Sequence, residues 1–308
     1  MRSFPLIALL GGCLSLSVQA AEPQAWLQRL SQADKQSFHG TFIYERNGSF
    51  STHAIWHQAG AESVSERLLQ LDGVAQEIVR VDGRPQCVSG ALIDQVLDVQ
   101  WPASQLDAAQ LERRYEVRLL GRSRVAGRPA TVLAMIPRDQ YRYAFELHLD
   151  DETALPLKSL LISEKGQLLE RLQFVSLEPG GKLDSAALKP SGSCQSVSYG
   201  KTEELTPSWR ASWVPPGFEL NRALQSSGSA SDQPVASLLY GDGLARFTVF
   251  LEPLNGAGAE DARRQMGPTA VVSRRITTER GDVMVTVVGE IPMGTAERVA
   301  LSMQDSAQ

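Results

Sequence analysis

GTFIYERNGSFSTHAIWH, residues 40–57, is the stretch that decides the fold. Thr41–Arg46 is a run of β-branched and aromatic residues, and Phe50–His57 returns after Asn47-Gly48. Asn-Gly is a strong two-residue hairpin signal, because both central positions of the favoured turn need positive φ. Downstream, Asp72-Gly73 and Asp82-Gly83 mark two further turns ten residues apart, with a strand from Ala75 to Val81 between them. That spacing makes a β-meander rather than a βαβ unit. The tripeptide Gly-Arg-Pro occurs at Gly83 and again at Gly127, each time after a valine-containing strand. These read as similar turns, not as an internal repeat. One helix, Ser104–Leu111, is expected between them. Strands resume at Tyr115–Leu120, Ala130–Ile136 and Tyr141–Leu149. A clear hairpin follows: Leu157–Glu164, a turn at Lys165-Gly166, and Leu168–Leu177. On its return strand Leu168, Glu170, Leu172 and Phe174 are expected on one face, Leu169 and Val175 on the other. Both faces are partly apolar, which predicts a large curved antiparallel sheet, packed on one side and lining something on the other.

The first twenty residues set the compartment. One charge, Arg2, precedes an apolar run from Phe4 to Leu16, and Val18-Gln19-Ala20 closes it with small residues at the cleavage positions. This is the layout of a cleaved signal peptide, 1–20, and implies export from the cytoplasm. The rival reading is a lipid anchor at Cys13, in Leu10-Gly11-Gly12-Cys13; the apolar run continuing past Cys13 speaks against it. A short amphipathic helix carrying Trp26, Leu27 and Leu30 on one face should follow. The rest divides into a first domain over 21–180, a Gly/Ser/Pro/Lys-rich linker over 181–208 and a second domain over 209–308. Strands of the second domain are expected at Val235–Tyr240, Leu244–Leu251, Ala270–Ile276 and Val283–Gly289. A closing helix should run from Thr295, as N-cap, to Met303.

Without the signal, 29 basic residues face 35 acidic ones, a net charge of −6. That balance argues against nucleic acid as a partner, since phosphate binding needs a basic surface. Cys87 and Cys194 remain, and two cysteines in an oxidising compartment are expected to form one disulfide. No phosphate loop, dinucleotide fingerprint, HExxH or Gly-x-Ser-x-Gly elbow is present; Gly121-Arg122-Ser123-Arg124-Val125 comes nearest to the last. His53 and His57 share a strand face, but no acid or cysteine stands at a matching spacing, so no metal is expected. No catalytic residue and no cofactor are assigned. The expectation is a binding protein, not an enzyme.

Two features point to binding. Arg113, Arg114, Arg118, Arg122, Arg124 and Arg128 form a dense run, of which Arg114, Arg118, Arg122 and Arg124 are the candidates for an anionic ligand. The alternative is a solvated edge interleaved with Glu112 and Glu116. Phe42, Tyr44, Trp56, Leu160, Ile162 and Phe174 are candidates for a lipid-sized pocket, with core packing as the alternative for each.

The chain resembles the MucB/RseB family of periplasmic regulators of the sigma-E-type envelope stress response. In the first domain the resemblance rests on GTFIYERNGSFSTHAIWH, ERLLQLDGVAQEIVRVDG, GRSRVAG and RDQYRYAFELHLDDETALPLKSLLISEKGQLLERLQF. In the second it rests on SWVPPGF, LLYGDGLARFTVFLEP and VTVVGEIPMGTAERVA. It implies a mostly β, α+β protein. Its first domain would be an unclosed antiparallel β-barrel similar to the LolA and LolB lipoprotein carriers, and its second a smaller α+β domain. It also implies a partner, the periplasmic domain of a transmembrane anti-sigma factor of the MucA or RseA kind. The regulator shields that partner from proteolysis and is released by lipopolysaccharide or another lipid. The family does not carry over a Cys87–Cys194 bridge. Enrichment of aromatics and Arg at interfaces makes Trp213, Phe218, Tyr240, Arg246 and Phe247 the candidate partner contacts, with core packing the alternative. A lipid or lipoprotein carrier is the second functional reading, and homodimer or higher oligomer is left open.

Overall fold

The computed structural model describes residues 23–74, 76–89, 107–181, 183–197, 202–204, 206–227, 234–254 and 260–305. The expected signal peptide and Cys13 lie outside them. Eleven antiparallel strands make the first sheet, in two five-strand meanders. The first contains β1 (Phe38–Arg46), β2 (Ser49–Ala59), β3 (Val64–Gln70), β4 (Glu77–Val81) and β5 (Arg84–Ser89). The second contains β6 (Tyr115–Val125), β7 (Arg128–Pro137), β8 (Ala144–Asp150), β9 (Pro156–Ile162) and β10 (Leu168–Pro179). Pairing of β1 with β10, from Phe38↔Pro179 to Arg46↔Glu170, joins the meanders. A short β11 (Gln195–Ser196) extends the β5 edge, while β6 forms the opposite edge. The two edges do not pair, so the sheet curves without closing.

Turn chemistry set this register. Asn47 and Gly48 both have positive φ, 56° and 72°, as the two-residue hairpin demands. Asp82-Gly83 and Ala126-Gly127 adopt nearly the same pair of angles, 49° with 72° and 49° with 73°. The repeated Gly-Arg-Pro is therefore one turn used twice.

Cross-strand partners share a face and successive residues alternate. Phe38, Gly40, Phe42 and Tyr44 of β1 thus face the same way as Leu172, Phe174 and Leu177 of β10. Ile55, Leu68, Ile78 and Val88 continue that face across β2 to β5. These side chains form one buried cluster. Gly40 is required there, because a Cβ would collide with the Ser176 carbonyl oxygen and the Phe174 ring. A register shift between Leu168 and Glu170 sets Leu168 opposite Ile162, off the face of Glu170 and Leu172 where it was expected; it is 40% exposed.

At the β6–β8 end the same face is covered by α1 (Pro23–Leu30) and α2 (Ala108–Arg114). Trp26, Leu27 and Leu30 pack with Leu111, Tyr115, Leu133, Met135, Leu147 and Leu149. Burial of side chains of this size stabilises by about 1.5–3 kcal/mol each. Asp107 caps α2, accepting from Ala109 N and Gln110 N at 2.9 and 3.2 Å. The helix therefore runs later than Ser104–Leu111; residues 104–106 lie outside the described set.

Much of the stretch read as a linker is anchored. Leu183 N donates to Gln58 Oε1 (2.9 Å), Arg67 Nη1 to the Ala187 carbonyl (3.0 Å) and Ser191 N to Glu77 Oε2 (3.0 Å). A disulfide joins Cys87 to Cys194, with Cα atoms 5.5 Å apart.

The second sheet has seven strands: β12 (Thr202–Glu204), β14 (Glu219–Ser227), β15 (Pro234–Gly241), β16 (Arg246–Pro253), β17 (Ala262–Met266), β18 (Thr269–Thr278) and β19 (Gly281–Gly289). Their order is β12-β14-β15-β16-β19-β18-β17. A two-strand ribbon pairs β13 (Trp209–Ala211) with β20 (Met303–Asp305). Between β19 and β20 lies α3 (Met293–Ser302), which packs Ala296, Val299 and Ala300 on Val249, Val272, Val285 and Val287. This helix begins earlier than expected, with Pro292 as N-cap, and the Pro292 carbonyl accepts from Thr295 N and Ala296 N. Thr295 is buried inside the first turn and does not cap it.

Candidate functional site

Three places could serve binding: the inner face of the open sheet, the arginine run, and the junction between the two sheets. On the inner face, Phe42, Tyr44 and Phe174 lie together, each buried. Phe42 meets Phe174 at 5.6 Å and stacks on His53 at 5.2 Å; Phe38 stacks on His57 at 4.8 Å. Trp56, Leu160 and Ile162 are on the opposite face, one residue out of phase with Ile55 and Leu161. Trp56 lies 5.1 Å beneath the Arg67 guanidinium there. The six lipid candidates thus divide three and three, and the inner three are buried against one another and their neighbours. Parity relative to strand register was the deciding signal, and the two bulges in β10, at Leu169 and Val175, hide it in the sequence.

Polar groups interrupt the inner face. Arg80 Nη1 donates to Glu66 Oε1 at 2.9 Å, and His57 Nδ1 lies 3.4 Å from Glu66 Oε2. Burial pushes the Glu66 carboxyl up, but His57 and Arg80 outweigh it and hold the group below its usual range. Burial lowers the His53 imidazole to about 4, so it is neutral at pH 7. Among the described residues, no group of three or more His, Cys, Asp or Glu is arranged to hold a metal ion.

The arginines are spread along edge strand β6 and do not converge. Arg118 pairs with Glu116 (2.7 Å) and Arg122 with Asp151, while Arg124 is exposed. Arg114 turns towards the second domain, where a Cβ on Gly217 would collide with it. Arg128 forms a two-toothed pair with Asp150 at 2.8 and 2.9 Å.

At the junction, the loop between β7 and β8 carries Tyr141-Arg142-Tyr143, and all three side chains reach the second domain. Arg142 is among the largest fully buried side chains. Its Nη1 donates to Asp242, its Nη2 to the Pro216 carbonyl (2.7 Å), and its Nε and Nη2 to Asp139 (3.1 and 3.0 Å). The guanidinium also sits 4.9 Å from the Phe218 ring and 5.5 Å from Tyr115. Asp242 further accepts from the Tyr115 hydroxyl at 3.0 Å and from the backbone N–H groups of Leu244 and Ala245. Burial, then the nearby Asp242 charge, push the Tyr115 hydroxyl well above its usual range, so it stays a donor. Tyr143 donates to the Ile291 carbonyl at 3.2 Å. Tyr141 meets Trp213 edge-on at 5.2 Å and accepts from Arg298, whose guanidinium lies 3.8 Å over Trp213. Nearby, Arg46 of β1 donates to Thr269 and lies 3.6 Å from Glu290.

This geometry bears on the expected partner contacts. Trp213 and Phe218 are engaged at the junction, and Phe218 is buried against Phe247 at 5.2 Å. Tyr240 and Phe247 stack at 5.1 Å inside the second core, while Arg246 is half-buried. All four aromatic rings make ring contacts within the chain. Tyr141, Arg142, Tyr143 and Asp242, which sequence reading did not single out, carry the junction. The one local signal was the density of Arg and Tyr in RDQYRY, residues 138–143.

Two family models match the chain, the MucB/RseB N-terminal domain over residues 22–192 and the MucB/RseB C-terminal domain over 203–304. The chain belongs to the MucB/RseB family. It is 57% identical over 312 residues to the sigma factor AlgU regulatory protein MucB of Pseudomonas aeruginosa, covering 100% of this chain and 99% of that protein. The sigma-E factor regulatory protein RseB of Escherichia coli K12 is 26% identical over 253 residues, 78% of this chain and 77% of that one. Among solved structures, the Pseudomonas aeruginosa MucA/MucB complex matches with a TM-score of 0.80 at 56% identity, over 94% of this chain and 100% of that chain. A second structure, of MucB with MucA(peri), gives 0.79 at 56% identity, over 93% and 100%. A structure of MucB gives 0.73 at 55% identity, over 93% and 99%.

Proposed function

We propose that this MucB/RseB protein is a periplasmic negative regulator of an envelope-stress sigma factor. It binds the periplasmic domain of a transmembrane anti-sigma factor and protects that domain from proteolysis. The observation that carries this reading is the full-length identity to MucB, a sigma factor regulatory protein whose solved structures include complexes with MucA. The protein acts by binding and not by catalysis. Export agrees with the Cys87–Cys194 bridge, since disulfides persist in oxidising compartments. Binding of lipopolysaccharide or another lipid to the first domain releases the client, by linkage between two sites.

The test is a titration of the mature chain, residues 21–308, with the periplasmic domain of Pseudomonas aeruginosa MucA, followed by limited proteolysis of MucA with and without the chain. Micromolar or tighter binding together with slowed cleavage is expected. Absence of binding at that concentration sinks the reading. Adding lipopolysaccharide micelles to the complex should restore cleavage; unchanged protection removes the lipid step alone. The open sheet with an apolar inner face favours a second reading, a carrier of lipid or lipoprotein. Transfer of cargo from the chain to an acceptor membrane would support it.

A further inference from the structure

Three consecutive side chains of one loop engage three separate segments of the second domain: Tyr141 the 213 and 298 positions, Arg142 the 216–218 and 242 positions, Tyr143 position 291. The central contact is an ion pair, Arg142–Asp242, in which both side chains are 0% exposed. Each member belongs to a different domain, so opening the junction returns both charges to water together. Buried ion pairs come close to break-even against hydration, because the desolvation cost offsets most of the Coulomb gain. Such a contact adds little cohesion. It imposes geometry instead: the guanidinium is a rigid planar fork, and its hydrogens point in fixed directions. Asp139, Asp242 and the Pro216 carbonyl occupy those directions at once, between the rings of Tyr115 and Phe218. A domain rotation of a few degrees would leave at least one buried donor or acceptor unmatched. The ion pair is therefore specific without being strongly adhesive, which suits the switch point of a two-state element.

We propose that Tyr141-Arg142-Tyr143 with Asp242 is a clasp that selects one arrangement of the two domains, and that the anti-sigma client binds the clasped arrangement. The second half of this inference rests on the function proposed above. That direction accords with the overall match, at TM-scores of 0.80 and 0.79 to the two structures of MucB with MucA and 0.73 to the third.

The experiment uses the full mature chain with paired spin labels at exposed positions Lys165 and Glu279, one in each domain. Inter-label distances are measured for wild type, Arg142→Gln, Asp242→Asn and the double variant, and each is titrated with the MucA periplasmic domain. Arg142→Gln strands a buried carboxylate, so the distance distribution should broaden and Kd rise about tenfold as the competent population falls. The double variant leaves no unpaired charge and should recover part of both effects. Tyr143→Phe removes one hydroxyl and serves if Arg142→Gln does not fold; a smaller rise, about threefold, is expected from it. Unchanged distances in folded variants overturn the clasp. Changed distances with unchanged Kd overturn its coupling to the client. Failure of the wild-type chain to bind MucA would instead reject the proposed function, and the distance measurement would then judge the clasp by itself.

Discussion

Replacing both cysteines, Cys87→Ser with Cys194→Ser, removes the covalent tie between β5 and the segment that follows β10. The bridge closes a loop with a sequence separation of 107 residues. In the chain-entropy model a loop of that length constrains the unfolded chain by about 4–5 kcal/mol. In a domain of this size, 1 kcal/mol moves Tm by roughly 2–4 °C, so the first domain should melt about 8–20 °C lower. Its folded structure should survive, because β11 pairing and the Glu77–Ser191 and Gln58–Leu183 hydrogen bonds still hold the segment. Scanning calorimetry of the oxidised chain and the double variant reads the shift. The second sheet contains no cysteine, and a transition belonging to it should stay in place. A shift under about 2 °C would refute the reasoning: the unfolded chain would then gain almost no freedom when the loop is opened.

Phe174→Ala should leave a cavity between Phe38 and Phe42 and cost about 3–5 kcal/mol in urea unfolding. A loss below 1 kcal/mol would mean that the inner face is not packed there. His53 is neutral when folded, with its pKa lowered to about 4 against 6.5 when free. Between those values only the unfolded chain takes up the proton, so stability is full above pH 6.5 and falls by up to about 3 kcal/mol on the way to pH 4. His53→Gln should flatten that part of the profile; an unchanged slope would assign it to other groups. Glu66, whose folded pKa is depressed, acts lower: its contribution is present above about pH 4.3 and is lost as pH falls through the folded value.

The sequence made the first sheet legible wherever turn chemistry and alternation agreed. Asn47-Gly48 and Asp82-Gly83 fixed their hairpins because positive φ is a local demand that few residue types meet. In the second sheet β14 and β17 escaped notice. ELNRALQSS and ARRQM lack an apolar alternation, and β17 is an edge strand whose five residues are all exposed. Edge strands are stabilised by a neighbour's backbone and commonly carry charge, so their pattern resembles a loop. The candidate sites were less legible for a related reason. Leu160 and Leu161 are adjacent and chemically alike, yet one faces out and the other in, and only the register of β9 against β10 decides which. Trp213, Phe218, Tyr240 and Phe247 have the composition of an interface, but in space they meet one another and the junction. Arg142 was invisible because its partner Asp242 is one hundred residues away.

One residue belongs to both networks. The Tyr115 ring packs beneath α1 and α2 with Leu30, Leu111 and Met135, while its hydroxyl donates to Asp242 in the clasp. It is also the C-cap of α2 and the first residue of β6. α1 covers the inner face with eight residues and three buried apolar side chains, worth about 5–9 kcal/mol together, and Arg29 ties it to the Asp151 and Glu152 carbonyls. In the lipid-triggered release proposed above, a lipid chain entering the inner face would displace side chains there, and α1 and α2 are the elements that cover that face without belonging to the β-ladder. Lifting α2 draws on Tyr115, and with it on the hydrogen bond to Asp242. A ligand under the helices and a client sensitive to domain arrangement would thereby be coupled through a named contact. No conformational change needs to travel through the sheet itself.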